Sequence, residues 1–335
     1  MKRPIPGPDQ WERWLTRYLK RLEATGHAAK TIRSRRDMAG LFIAYAKEAG
    51  IRGPEGVTQS LLSAYLVYRK ETSNSRGRKD RPRTVNTHLL VLKRFLDFLS
   101  KEGVVSPSLP AAVEYVKAPE TLPRDIPTDL EVRKILSACD TMRSTGFRDR
   151  AIVELLYATG IRRQELADLK VEDIDLAQGC LRIERGKGGK GRILPVGRMA
   201  GEWIRKYLLA VRPELVRGKP DPGWLFLTKS GRKMDGSSVL QTVRKAAILA
   251  GVEKKVTPHA LRRACATEMI RRNANPWHVK ELLGHEDFRS LDVYAKLTIL
   301  DLKAAHRESH PRSRARRTIP RRPGQSRSHA DRQGR

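Results

Sequence analysis

Over the first hundred residues, apolar positions recur every three to four places, a pattern that predicts four amphipathic helices. Trp11, Trp14, Leu15, Tyr18, Leu19 and Leu22 form the first stripe, which Gly26 can end. A second helix is expected from near Thr31 to Gly50, carrying Ile32, Leu41, Phe42 and Tyr45. A third begins near Thr58 with Leu61, Leu62, Tyr65 and Leu66. The fourth carries Val85, Leu89, Leu92, Phe95, Leu96 and Leu99 and stops at Gly103. Residues 104–127 then hold five prolines, which remove amide donors and fix the backbone. They predict a linker at 106–127, without secondary structure, after a first domain at 9–105.

The second domain, 128–306, opens with T-D-L-E at Thr128 to Glu131, a capping-box pattern ahead of Val132, Ile135 and Leu136. Another helix is expected over Phe147 to Ala158. Cys180 to Glu184 and Arg192 to Val196 alternate like strands on either side of G-K-G-G-K-G and predict a hairpin. Helices follow near Met199 to Val211, Ser237 to Ala250, Thr257 to Ile270 and Pro276 to Leu283. The expected fold class is mainly α with a small antiparallel sheet, in two domains.

Charge changes this picture from architecture to partner. The 335 residues carry a net charge of +31. A chain this basic repels itself unless it meets a polyanion, and nucleic acid is the commonest one. Anionic membrane is the other candidate. No apolar stretch approaches a spanning helix and no signal-peptide pattern opens the chain, so a cytoplasmic, nucleoid-associated location without membrane is expected. Residues 73–84 set Arg76, Arg78, Lys79, Arg81 and Arg83 against Asp80 alone, a loop that is either simply solvated or laid on DNA phosphates. Residues 307–335 hold ten arginines and two acids with few apolar residues, and read as a basic disordered tail. Three widely spaced cysteines, Cys139, Cys180 and Cys265, argue against a disulfide framework or a structural zinc site and for reduced packing residues.

Four short stretches bear chemistry. In T-G-I-R-R-Q-E-L, residues 159–166, Gly160 can close one helix and place Arg162 at the start of the next, where it could meet a phosphate. Alone, this is also a helix corner with surface arginines. G-K-G-G-K-G at 186–191 puts Lys187 and Lys190 at a hairpin tip, yet lacks the pattern of a nucleotide-binding loop. In H-A-L-R-R, residues 259–263, His259 and Arg262 share one helix face, and alone they could be surface decoration. In L-L-G-H-E-D-F-R-S-L-D-V-Y, Gly284 ends a helix before His285, and Tyr294 follows nine residues later. A lone tyrosine is ordinarily a core or interface residue.

Taken in order, A-T-G-I-R-x-x-E-L, G-K-G, H-A-L-R and L-L-G-H with Tyr294 resemble the boxes of the tyrosine recombinase (phage integrase) family, more closely its Xer-like branch. The resemblance extends upstream, where L-P-R-D-I-P-T-D-L-E-V resembles the start of the family's catalytic domain and the four helices resemble its SAM-like core-binding domain, covering residues 9 to about 306. Departures stand at Arg163, Gln164, Arg263, Ser290 and Leu291, none of which removes a matched side chain.

The resemblance implies transesterification at a phosphodiester of duplex DNA with Tyr294 as nucleophile. Arg162 and Arg262 would clamp the phosphate, His259 would accept the tyrosine proton, and His285 would support the site. Lys187 would be the general acid, with Lys190 its rival in the same loop. No metal or other cofactor is implied. A homo-tetramer on DNA, or a partner recombinase, is expected, with Leu297, Leu300 and Ala304 on a helix that docks on a neighbour or on its own domain. A type IB topoisomerase and a non-catalytic basic DNA-binding protein are the alternatives to weigh.

Overall fold

The computed structural model describes residues 9–73, 77–119, 125–184 and 191–284. The chain divides into two compact units, one running to Glu120 and one from Thr121.

In the first unit, α1 (Gln10–Ala24), α2 (Ala29–Glu48), α3 (Gln59–Glu71) and α4 (Pro82–Lys101) form where the apolar stripes lie. Asp9 and Thr58 cap α1 and α3 by accepting the amides of Trp11 and Leu61. Trp11, Phe42, Tyr65, Phe95, Leu96 and Leu99 are fully buried between the helices.

Two expectations need correction. The segment expected to be a featureless linker contains a one-turn helix, α5 (Ser108–Ala111), and Leu109, Pro110 and Val113 are buried in the first unit's core. The Asn86 side chain bonds both the carbonyl and the amide of Val116, each at 2.8 Å. Proline is tolerated in a first helical turn, so five prolines did not preclude an element. The spacing of Val105, Leu109 and Val113 supplies a helical stripe that fastens the segment down.

The basic loop is also shorter than expected, because Pro82 opens α4 and Arg83 lies in its first turn. Ser73 and Lys79 pair across the loop, and its lone acid, Asp80, accepts from Arg69 Nη2 at 2.6 Å. Arg78, Lys79, Arg81 and Arg83 are exposed, so a basic face remains outside. Arg76 lies outside the described residues.

The second unit is built around α7 (Ser144–Thr159), which follows α6 (Asp129–Ser137). Ala151, Ile152, Val153, Leu155 and Leu156 are all completely buried, and a helix apolar on every side belongs at the centre of a core. The capping box is present: the Glu131 amide donates to Thr128 at 3.3 Å and the Thr128 amide to Glu131 at 2.7 Å. After the short α8 (Arg163–Ala167) comes an antiparallel sheet of β1 (Ile174–Asp175), β2 (Cys180–Ile183) and β3 (Arg192–Pro195), in that order. β1 was not expected, being too short to show alternation. Leu181 pairs with Leu194 and Ile183 with Arg192, so the expected hairpin is in register.

The helix expected to end at Val211 is α9 (Arg198–Lys206), which widens into a π-helical turn over Tyr207–Val211 and resumes as α10 (Arg212–Val216). Pro213 explains the widening, since its ring would collide with the carbonyl of Leu209 in a regular helix. α11 (Gly236–Leu249), α12 (Pro258–Arg271) and α13 (Pro276–Leu283) complete the described fold. Cys139 and Cys265 are buried free thiols that burial pushes up to about 11, and Cys180 is half-buried and free. Residues 307–335 lie outside the described residues.

Gly160 ends α7 in the left-handed region, with φ of 59°. A Cβ there would lie 2.7 Å from Leu283 Cδ2. Gly160→Ala should therefore destabilise the protein by about 1–2 kcal/mol in urea denaturation, the usual cost of that conformation for an alanine. An unchanged transition would contradict this account of the turn.

Candidate active site

Three helix ends converge in the second unit. Gly160 turns the chain out of α7, Ile161 buries itself, and Arg162 becomes the N-cap residue of α8. Thr257 accepts the Ala260 amide and Pro258 opens α12, which fixes the first turn carrying His259 and Arg262. α13 ends at Gly284, again in the left-handed region with φ of 60°.

The last carbonyls of a helix have no intrahelical partner and lie at the negative end of its dipole. Arginines take those of α13. Arg192 Nε donates to Leu282 O at 3.3 Å, Arg262 Nη2 to Leu283 O, and Arg162 Nη2 to Gly284 O at 2.8 Å. Arg262 Nη1 also donates to Gly160 O at 2.6 Å, so this 2%-exposed side chain ties the ends of α7 and α13 together.

One carboxylate stands among these cations. Glu165 Oε1 accepts from Arg162 Nη1 at 2.7 Å and Arg192 Nη1 at 3.0 Å. Its Oε2 accepts from the Arg162 amide at 2.8 Å and Arg192 Nη2 at 2.8 Å. Burial alone would raise this carboxyl's pKa, but the hydrogen bonds from Arg192 and Arg162 reverse that and hold it at about 2.

His259 completes the group. The protein packed around it, then the charges of Arg263, Arg262 and Arg162, lower its pKa below the ordinary imidazole value. The ring still reaches the surface, and the three like charges act on it there. The ring is held neutral near pH 7, the form that can accept a proton.

Of the residues singled out in the sequence, Arg162, His259 and Arg262 are thus brought together. Lys187, Lys190, His285 and Tyr294 lie outside the described residues. The chain leads to them from known positions: Ile183 and Arg192 pair across the base of the hairpin that carries the lysines, and Gly284 precedes His285. Arg78, Lys79, Arg81 and Arg83 belong to the first unit.

Sequence reasoning missed Glu165 and Arg192. Glu165 was visible as a letter of its box without a role, and Arg192 was read only as a strand residue. For Glu165 the available signal was its place three residues after Arg162, the spacing at which an acid bonds back to a helix start. Among the described residues, no three of His, Cys, Asp and Glu gather to hold a metal ion, and no helix is long and apolar enough to cross a membrane.

The depressed Glu165 pKa carries a stability prediction. A carboxylate bound more tightly when ionised contributes fully above its unfolded value near 4.5 and loses that contribution as pH falls toward about 2. Wild-type stability should therefore fall more steeply than that of Glu165→Gln over this range in acid-titrated thermal melts. Parallel curves would contradict the arrangement.

Comparison with known proteins identifies the family. The sequence profile of the Phage integrase family matches residues 128–299. Tyrosine recombinase XerC 2 of Ralstonia nicotianae (strain ATCC BAA-1114 / GMI1000) is 34% identical, covering 89% of this chain and 86% of its own. Tyrosine recombinase XerD of Listeria monocytogenes serotype 4b (strain F2365) is 32% identical, covering 86% and 95% respectively. The fold resembles the XerH site-specific recombinase bound to palindromic difH substrate in a post-cleavage complex, with TM-score 0.64 and 17% identity over 91% of this chain and 98% of that one. On the matched profile and on relatives that align along most of its length, the chain belongs to the phage integrase family.

Proposed function

We propose that this protein is a site-specific DNA recombinase that cuts and rejoins duplex DNA through a phosphotyrosine at Tyr294. The observation that carries the reading is the gathering of Arg162 and Arg262 on adjacent carbonyls at the end of α13, beside a neutral His259 and immediately before the segment bearing His285 and Tyr294. The relatives named above are themselves tyrosine recombinases, which favours strand exchange. Nothing in the described residues favours the topoisomerase or architectural reading.

In the proposed reaction the Tyr294 oxygen attacks the scissile phosphorus and its proton passes to His259. The bond from phosphorus to the 5′-oxygen breaks, and Lys187, or Lys190 from the same loop, protonates the leaving oxygen. A 3′-phosphotyrosine remains and stores the bond energy, so a 5′-hydroxyl of the partner strand reverses the step without ATP. The transition state concentrates negative charge on the non-bridging oxygens, where Arg162 and Arg262 act. A guanidinium has five N–H donors, so gripping a backbone carbonyl and gripping a phosphate are compatible. Preorganisation matters because a donor already in place need not be reordered as charge develops. His285 would add a hydrogen bond to the phosphate.

The first unit supplies DNA affinity in this reading. Its exposed Arg78, Lys79, Arg81 and Arg83, together with Arg76, would follow the phosphate backbone, and the arginine-rich 307–335 would add non-specific attraction. The domain division follows: DNA binding by the unit that runs to Glu120, catalysis by the unit from Thr121, and a basic tail at 307–335. Two duplexes need four active sites, so the assembly on DNA is a tetramer in this reading, with the segment of Leu297, Leu300 and Ala304 docking on a neighbouring protomer. Such an enzyme works in the cytoplasm at the nucleoid.

The deciding experiment recovers duplexes from a random-sequence pool by binding to Tyr294→Phe protein, nicks them, and incubates them with wild-type protein. A denaturant-resistant protein–DNA species should form with the wild type and be absent with Tyr294→Phe. Equal adducts from both proteins, or none from either, would overturn the reading. Duplex affinity should also fall with salt, at a log–log slope of about −0.9 per phosphate neutralised. A flat response in a filter-binding titration would remove the electrostatic basis.

A further inference from the structure

We infer that Arg192 is a positioning residue whose charge answers Glu165 and so leaves Arg162 cationic toward a DNA phosphate. The inference rests on the recombinase reading above and concerns a residue to which that reading gives no task.

Glu165 holds Arg162 in place. Its carboxylate accepts both the Arg162 amide, at 2.8 Å, and Arg162 Nη1, at 2.7 Å, fixing backbone and side chain together. That fixation has an electrical cost. An isolated arginine–carboxylate pair is neutral, so a phosphate arriving beside it would meet almost no net attraction from Arg162. The carboxylate is 6% exposed at the side chain, so water screens it poorly and the loss would be felt in full.

Arg192 resolves the conflict. It meets both oxygens of the same carboxylate, at 3.0 and 2.8 Å, in the bidentate geometry that arginine makes best. It is the more deeply placed of the two cations, with a side chain 13% exposed against 30% for Arg162. Two guanidinium groups around one carboxylate leave a net positive charge, and that charge lies on the more exposed Arg162. Arg192 Nε is meanwhile held by Leu282 O, so the fork cannot drift from Glu165 toward a phosphate. The division of labour is between an inner arginine that neutralises the acid and an outer one that faces the substrate.

The test reads single-turnover adduct formation on nicked duplexes selected as above, alongside duplex affinity and thermal melting. Wild-type adduct must form first; its absence would sink the recombinase reading, whereas the results below bear on Arg192 alone. Arg192→Met should slow adduct formation about 10- to 100-fold, the range for losing one charge-assisted contact, with the duplex still bound. Arg192→Lys should be slowed less, because charge survives though the planar fork does not.

The decisive arm combines Arg192→Met with Glu165→Gln. If Arg192 acts by answering the carboxylate, removing the carboxylate should make the double variant faster than Arg192→Met alone. It should also react within about twofold of Glu165→Gln, the scatter expected of uncoupled sites. This last comparison stands even if Arg192→Met fails to fold, since neither protein in it carries an unanswered carboxylate at position 165. Wild-type rates in Arg192→Met overturn the inference. So does an equal penalty from Arg192→Met with glutamate or glutamine at 165, the result of a merely structural role.

Discussion

The arrangement depends on a single buried carboxylate that four N–H donors hold ionised. Glu165 is where the backbone of one helix start, the side chain of the outer arginine and the base of the hairpin meet. A buried ion pair is often no gain in stability over an apolar replacement, because desolvating the charges offsets their attraction. What such a cluster supplies instead is geometry. Guanidinium groups on flexible stems have many rotamers, and a site that binds a phosphate from several sides needs nearly all of them excluded beforehand.

Around that point the fold is arranged so that distant parts of the chain end together. α7 is buried on every side, so its C-terminal turn is a fixed reference from which Arg162 projects. α12 begins at a capped, proline-bearing turn that leaves little freedom at His259. α13 presents its unpaired carbonyls to cations that satisfy them. In the first unit Asp80 likewise meets an arginine, accepting from Arg69 at 2.6 Å within the loop that carries the basic face.

Much of this was legible in the sequence wherever periodicity or capping chemistry was strong. The four helices of the first unit, the capping box at Thr128, the hairpin pairing and the left-handed turns at Gly160 and Gly284 follow from local rules. The misses have physical reasons. Prolines counted as helix breakers at 107 and 110 fall where a first turn needs no amide donor, and Val105, Leu109 and Val113 already marked the buried stripe. The π-helical turn before Pro213 relieves a clash that periodicity does not register. Arg162, His259 and Arg262 were identified by the order of weak motifs, while Glu165 and Arg192 escaped because their partnership crosses 27 residues and no local pattern encodes it.

The contacts at the end of α13 are made to main-chain oxygens, not to side chains. Evolution is therefore free to vary what Leu282 and Leu283 display, within the demands of packing, without disturbing the hydrogen bonds. Spacing is another matter. A single inserted or deleted residue between Leu282 and Gly284 would rotate every oxygen out of register with its donor, so here the chain tolerates spelling changes far better than changes of length.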